Sequence, residues 1–177
     1  YVEEKEAGVL QLESIIKKVL EDKARFEREA RIREQQALLK TKSFRSLQGK
    51  LPWPAAGRVI TKFGRQWNSK LKTTTENPGI DIKGQPGSSI KAVMGGVVTT
   101  ITYIRGYGTT IIIDNGGGFY TVYSHVTNIQ TSVDNQVRSG DIIAYMVDSG
   151  SINGAKLHFE IWGKGQKLNP EKWLRKK

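Results

Sequence analysis

Leu157-His158-Phe159-Glu160-Ile161 alternates apolar and polar residues near the end of the chain, within a strand expected over Lys156 to Trp162. Residues i and i+2 of a strand point to one face of its sheet, so Lys156 shares a face with His158. An ammonium group is a poor neighbour for any dication held by that imidazole. At roughly 6 Å and an effective dielectric of about 20, a single positive charge facing a doubly charged ion costs on the order of 5 kcal/mol.

Working back from that strand, glycine and β-branched residues dominate from Gly57 onward. Strands are expected over Arg58 to Phe63, Gly79 to Ile82, Ser89 to Val93, Val97 to Ile104, Thr109 to Asp114, Phe119 to His125 and Asp141 to Val147. Gly95-Gly96, Gly106-Tyr107-Gly108 and Asn115-Gly116-Gly117-Gly118 separate four of them at hairpin spacing, which predicts a mainly β, antiparallel domain. Asn169-Pro170-Glu171 reads as N-cap, first helical residue and first-turn acid, opening a short helix that lays Trp173 and Leu174 on the sheet.

Residues 1–48 differ in kind. They contain no proline, and apolar residues recur at three- and four-residue spacing through Leu12, Ile16, Val19, Phe26, Ala30, Ala37 and Phe44. That period predicts a long charged helix. Lys23, Arg33 and Lys40 fall on the same seam, so a uniform coiled coil is weakly specified. The expected organisation is a helical segment over 1–48, a linker over 49–57 marked by Gly49, Pro52, Pro54 and Gly57, and a β domain over 58–177.

The chain has 177 residues with 28 lysines and arginines against 17 acids, and 16 of those bases face only 8 acids between residues 51 and 177. Such a balance favours polyanionic partners, although charge reports on encounter rather than identity. No motif that reads RNA or DNA accompanies it, so no nucleic-acid partner is expected. Cysteine is absent, which excludes disulfides and thiolate metal sites. No apolar run approaches the ~20 residues of a membrane span. The chain opens at Tyr1, and we expect it to be part of a longer protein.

Only two histidines exist, His125 and His158, and both fall in the β domain. His125 ends the aromatic strand Phe119-Tyr120-Thr121-Val122-Tyr123-Ser124, where alternation puts Tyr123 on its face. Asp81 interrupts the apolar stretch Gly79-Ile80-Asp81-Ile82, and a carboxylate among β-branched residues requires a partner.

The order Gly79-Ile80-Asp81-Ile82, Pro86-Gly87-Ser88, Gly95-Gly96-Val97-Val98, Gly106-Tyr107-Gly108, Tyr123-Ser124-His125, Gly140-Asp141 and Leu157-His158-Phe159-Glu160 resembles the LytM or lysostaphin-type metallopeptidase domain over residues 51–177. Leu51-Pro52-Trp53-Pro54 and the charged helix before it look most like the EnvC-type murein hydrolase activators. In cutting members of the family, zinc is held by a histidine four residues before the Asp, by the Asp, and by the second histidine of a His-x-His strand. Mapped here, Asp81 and His158 match two ligands, Asn77 stands at the third, Lys156 stands at the first histidine of the pair, and His125 matches the remaining catalytic histidine. Catalytic zinc needs three good protein ligands, and an amide is a weak one.

The resemblance therefore implies a domain without zinc or other cofactor and without peptidase activity, whose groove holds Asn77, Asp81, Tyr107, Tyr123, His125, Lys156 and His158. Lys156 is expected to neutralise Asp81 in place of the metal. By the same resemblance the groove binds the inhibitory element of an N-acetylmuramoyl-L-alanine amidase during septal peptidoglycan splitting, in the periplasm or extracytoplasmic envelope. The helix would be a coiled-coil stem fragment answering to a membrane division complex, or a restraining arm over the groove. Peptidoglycan is a further expected partner. The competing readings are an active zinc endopeptidase and a passive peptidoglycan-binding module.

Overall fold

A computed structural model describes residues 2–148 and 154–177. The chain divides into two compact units, Tyr1–Leu38 and Leu39–Lys177. Helix α1 (Val2–Ser46) makes up the first unit and reaches into the second. From Glu6 to Gln35 every side chain is exposed, including Leu12, Ile16, Val19 and Phe26 of the expected stripe. Within the second unit Phe44, near the end of the helix, behaves differently. Phe44 is fully buried and stacks on Phe119 with ring centroids 4.1 Å apart, while Trp173 closes on both rings at 5.1 and 5.7 Å.

Among the described residues the second unit is an antiparallel β structure of thirteen strands: β1 (Arg58–Thr61), β2 (Gly64–Asn68), β3 (Thr73–Asn77), β4 (Ile80–Gly84), β5 (Ser89–Lys91), β6 (Gly96–Ile104), β7 (Gly108–Gly116), β8 (Phe119–Ser124), β9 (Val126–Thr127), β10 (Gln136–Val137), β11 (Ile142–Met146), β12 (Ala155–Gly163) and β13 (Gln166–Leu168). The main sheet runs β1-β4-β12-β8-β7-β6-β10 with β13 beside β12, and β5-β11-β9 form a second sheet. One face of the main sheet carries Ile80, Ile82, Ile111, Ile113, Tyr123, Leu157, Phe159 and Ile161, all fully buried. Ile90, Ala144, Met146 and Val126 of the small sheet complete the same core. Each such side chain contributes about 1.5–3 kcal/mol relative to exposure.

The mainly β architecture follows the expectation, with two differences. The strand expected to reach Phe63 ends at Thr61, and the chain turns into a hairpin of β2 and β3, closed where Asn68 Oδ1 accepts from the amides of Lys70 and Leu71 (3.0 and 3.2 Å). Those strands are polar and nearly all exposed, so they carry no hydrophobic alternation to betray them. The linker expected over 49–57 is instead built into the domain. Leu51 is buried, donates from its amide to Trp173 O at 3.2 Å and pairs with Leu174, and the Lys91 amide donates to Pro54 O at 2.8 Å. Proline and glycine there mark a tightly routed strap rather than a free tether.

Helix α2 (Pro170–Trp173) opens as expected: Asn169 is the N-cap and its side chain accepts from the Glu171 amide at 3.1 Å. Trp173 and Leu174 are buried. Because Phe44 joins α1 to this cluster, Phe44→Ala should lower the unfolding free energy by about 3–4 kcal/mol. Urea denaturation of the full chain measures it, and a loss under 1 kcal/mol would mean that the aromatic cluster does not bind the helix end to the domain.

Candidate functional site

The outer face of the main sheet carries one polar row across five strands. Cross-strand register places Thr61 opposite Asp81, Asp81 opposite His158, His158 opposite Ser124 and Ser124 opposite Thr110. Alternation explains the row, since the residues on either side of each member, such as Ile80, Ile82, Leu157 and Phe159, point into the core. Gly79 is required at the start of β4: a Cβ there would lie 2.1 Å from Phe159 O, so only glycine lets β4 approach β12 at this level.

His158 is the centre of the row. Its Nδ1 donates to Asp81 Oδ1 at 2.8 Å and its Nε2 donates to Glu160 Oε2 at 2.9 Å. Glu160 Oε1 accepts from Trp162 Nε1 at 2.9 Å, so both carboxylate oxygens are engaged. Ser124 and Thr110 share a hydroxyl hydrogen bond of 2.9 Å beside the imidazole. The Tyr107 ring packs at 5.1 Å from that of His158. Glu160 is absent from the sequence-derived set, although its place two residues after His158 on the strand was the signal that could have found it.

Around the row lies an open cavity of about 410 Å³. The exposed hairpin forms one wall through Gln66, Thr75, Glu76 and Asn77, and the turn at Gly106-Tyr107 with His125 forms another. Six of the seven residues assigned to the groove from sequence line this cavity: Asn77, Asp81, Tyr107, His125, Lys156 and His158.

Tyr123 does not. It is fully buried, its ring lies 5.3 Å from Phe159, and its hydroxyl accepts from the Val93 amide at 3.0 Å, with burial pushing its pKa up to about 12. The expectation that Tyr123 and His125 share a face fails because β8 ends at Ser124. His125 takes a left-handed backbone (φ 62°), its amide donates to Tyr107 O at 2.8 Å, and its ring turns out of the core into the cavity. Alternation holds only while the chain stays extended.

The electrostatics follow from these contacts. Burial alone would lower the His158 pKa, but the hydrogen bonds to Asp81 and Glu160 outweigh it and raise the pKa to about 9. Burial alone would raise Asp81, and the His158 hydrogen bond, with the charges of His158 and Lys156, holds it below the ordinary carboxylate range. His125 is lowered, first by burial and then by the nearby positive charges of Lys156 and His158. The direct Lys156–Asp81 ion pair expected from sequence is replaced. No such pair lies within 4.0 Å, and His158 is the ionic partner of Asp81. The nearer partner prevails because its nitrogen sits directly across the strand pair, and Lys156 acts on the carboxylate only as a more distant charge.

This donor set does not fit a catalytic zinc. A metal needs the free lone pair of a neutral imidazole, and both ring nitrogens of His158 are spent as donors to carboxylates. Asp81 and Glu160 sit at opposite ends of that ring and do not converge, and no group of three or more metal-ligating side chains does so among the described residues. Asn77 turns its Oδ1 toward the Gly79 amide at 3.4 Å and its Nδ2 toward Asp81 Oδ2 at 3.5 Å, offering a donor where a ligand would be needed.

With fold and site defined, the class is that of a LytM-type β domain. Residues 75–170 match the model of peptidase family M23, and the chain belongs to that family. The murein hydrolase activator EnvC of Escherichia coli (strain K12) is 31% identical over 141 residues, covering 80% of this chain and 33% of that protein. The murein hydrolase activator NlpD of Salmonella dublin is 36% identical over 123 residues, covering 69% of this chain and 30% of that protein. The chain thus spans about a third of the length of these relatives. Among solved structures, a zinc containing peptidase from Vibrio cholerae shares the fold, with a TM-score of 0.62 and 18% identity over 71% of this chain and 40% of that one.

The His158 pair makes stability depend on pH with a defined sign. A histidine raised from 6.5 to about 9 contributes stability that is fully present below pH 6.5 and is lost as pH rises through 9. The expected loss between pH 6.5 and 9.5 is on the order of 2–3 kcal/mol by denaturant unfolding, and it should vanish in His158→Asn. An equal slope in parent and variant would show that His158 does not carry the charge.

Proposed function

We propose that this chain is a non-catalytic activator of cell-wall amidases acting in the bacterial envelope. The observation that carries the reading is the His158 imidazole held between Asp81 and Glu160 at the floor of an open cavity. A hydrolase would need those groups free for metal and water, whereas here they hold one another and the cavity stays available to a partner. The names of the EnvC and NlpD relatives support activation of murein hydrolysis.

In this reading the cavity receives the inhibitory element of an N-acetylmuramoyl-L-alanine amidase. Binding that element favours the enzyme's open state, a population shift equal to the difference in affinity for its two states. Tyr107 and His125 are the natural anchors: both line the cavity partly exposed, and an aromatic ring beside an imidazole offers apolar area together with hydrogen bonding. Helix α1 would connect the domain to a membrane division complex.

Dye release from labelled sacculi tests the proposal with the chain alone, an amidase alone, and the two together. Release only in the mixture is expected; release by the chain alone would restore the endopeptidase. Tyr107→Ala and His125→Ala should each cut activation by about tenfold with little change in stability. Tyr123→Ala should instead destabilise the fold by about 3 kcal/mol or more, because it empties the core.

A further inference from the structure

Strands β2 and β3 pair only with each other among the described residues, and the hairpin they form is otherwise polar. Two large apolar side chains break that polarity: Trp67 is 65% exposed and Leu71 is 70% exposed. Cross-strand register sets Gln66 opposite Thr75 and Trp67 opposite Thr74. Gln66 and Thr75 line the His158 cavity, so alternation turns Trp67 to the other side of the hairpin, together with Arg65. Leu71 stands in the turn, where Asn68 Oδ1 accepts from its amide and from that of Lys70. Neither Trp67 nor Leu71 lines the cavity.

The charge of this segment is one-sided. Between residues 62 and 76, Lys62, Arg65, Lys70 and Lys72 face Glu76 alone, all four cations are exposed, and none forms an ion pair among the described residues. Nothing in the fold calls for the two apolar groups, which lie outside the core. A threonine in the strand and a polar residue in the turn would hold the same backbone. Left in water, an indole and a leucine side chain forgo the free energy of burial, so an external apolar phase is implied.

The cations beside them say which phase. The centre of a protein interface is depleted in lysine. The boundary of a lipid bilayer accepts both kinds of group: an indole seats its ring at headgroup level with its N–H wet, and a leucine reaches the acyl chains. Lysine stems lie along apolar surface while their ammonium groups meet anionic headgroups. We propose that the tip of the β2–β3 hairpin is a membrane-docking element that inserts Trp67 and Leu71 into the surface of an anionic phospholipid bilayer, with Arg65, Lys70 and Lys72 on the headgroups. Docked through this side of the hairpin, the domain leaves the side that faces the His158 cavity uncovered. Nothing in this depends on what the cavity binds.

Cosedimentation of the full chain with phosphatidylglycerol and phosphatidylcholine vesicles tests it, together with quenching of tryptophan fluorescence by bromines on the lipid acyl chains. The parent should bind phosphatidylglycerol at least about tenfold more tightly than phosphatidylcholine at about 100 mM salt, and brominated vesicles should quench it. Trp67→Ser combined with Leu71→Ser should weaken binding about tenfold with an unchanged melting transition, because both side chains are exposed. The triple variant Arg65→Ala, Lys70→Ala, Lys72→Ala should also lose about tenfold. Trp67→Phe should still bind but escape the quenching. Parental binding by the double or the triple variant, equal binding to both lipids, or binding of the parent without quenching would each overturn the proposal. So would loss of amidase activation by the double variant in dye release without lipid, which would give Trp67 and Leu71 to a protein partner instead.

Discussion

The site depends on one cross-strand pairing, Asp81 of β4 against His158 of β12. A shift of that register by one residue would turn Asp81 into the core and bring Ile80 or Ile82 out, so burial of the isoleucines and placement of the carboxylate are a single constraint. Gly79 allows the approach, Leu157 and Phe159 hold the opposite face, and the hydrogen bond of 2.8 Å between carboxylate and imidazole completes a row already aligned by the backbone. A buried charge pair is stable only when its remaining donors and acceptors are met. Glu160 on the far nitrogen of His158 does this, with Trp162 on the second oxygen of Glu160.

The residues around this pair act together on its charge. The amide of Asn77 donates toward the Asp81 carboxylate, Lys156 adds positive charge to its surroundings, and His158, its pKa raised to about 9, is the ionic partner of that carboxylate. The fold is that of an M23 domain, and the cavity above the row persists with walls from the β2–β3 hairpin and the Tyr107 turn.

Much of this was legible in the chain. The β-rich composition, the turn signals, the N-cap at Asn169 and the spaced motifs point to the right fold, and alternation along 156–162 puts Lys156 and His158 on one face. The hairpin at 64–77 was not legible, because a polar, two-sided strand pair has no buried face to imprint a pattern. Tyr123 escapes the pattern for a related reason: period two does not continue through His125, where the backbone leaves the extended region. The prolines and glycines of 49–57 read as a linker in the sequence, and they equally mark a strap packed by Leu51.

Sequence alone therefore determined the residue types of the site and the shared face of Lys156 and His158. These are local properties, set by side-chain chemistry and by the two-residue period of a strand. The tertiary structure alone decided the partners. That Asp81 meets His158 rather than Lys156, and that Glu160 is left to close the other nitrogen, depend on register between strands far apart in the chain. Register is selected by packing of the whole core, and no segment carries it by itself.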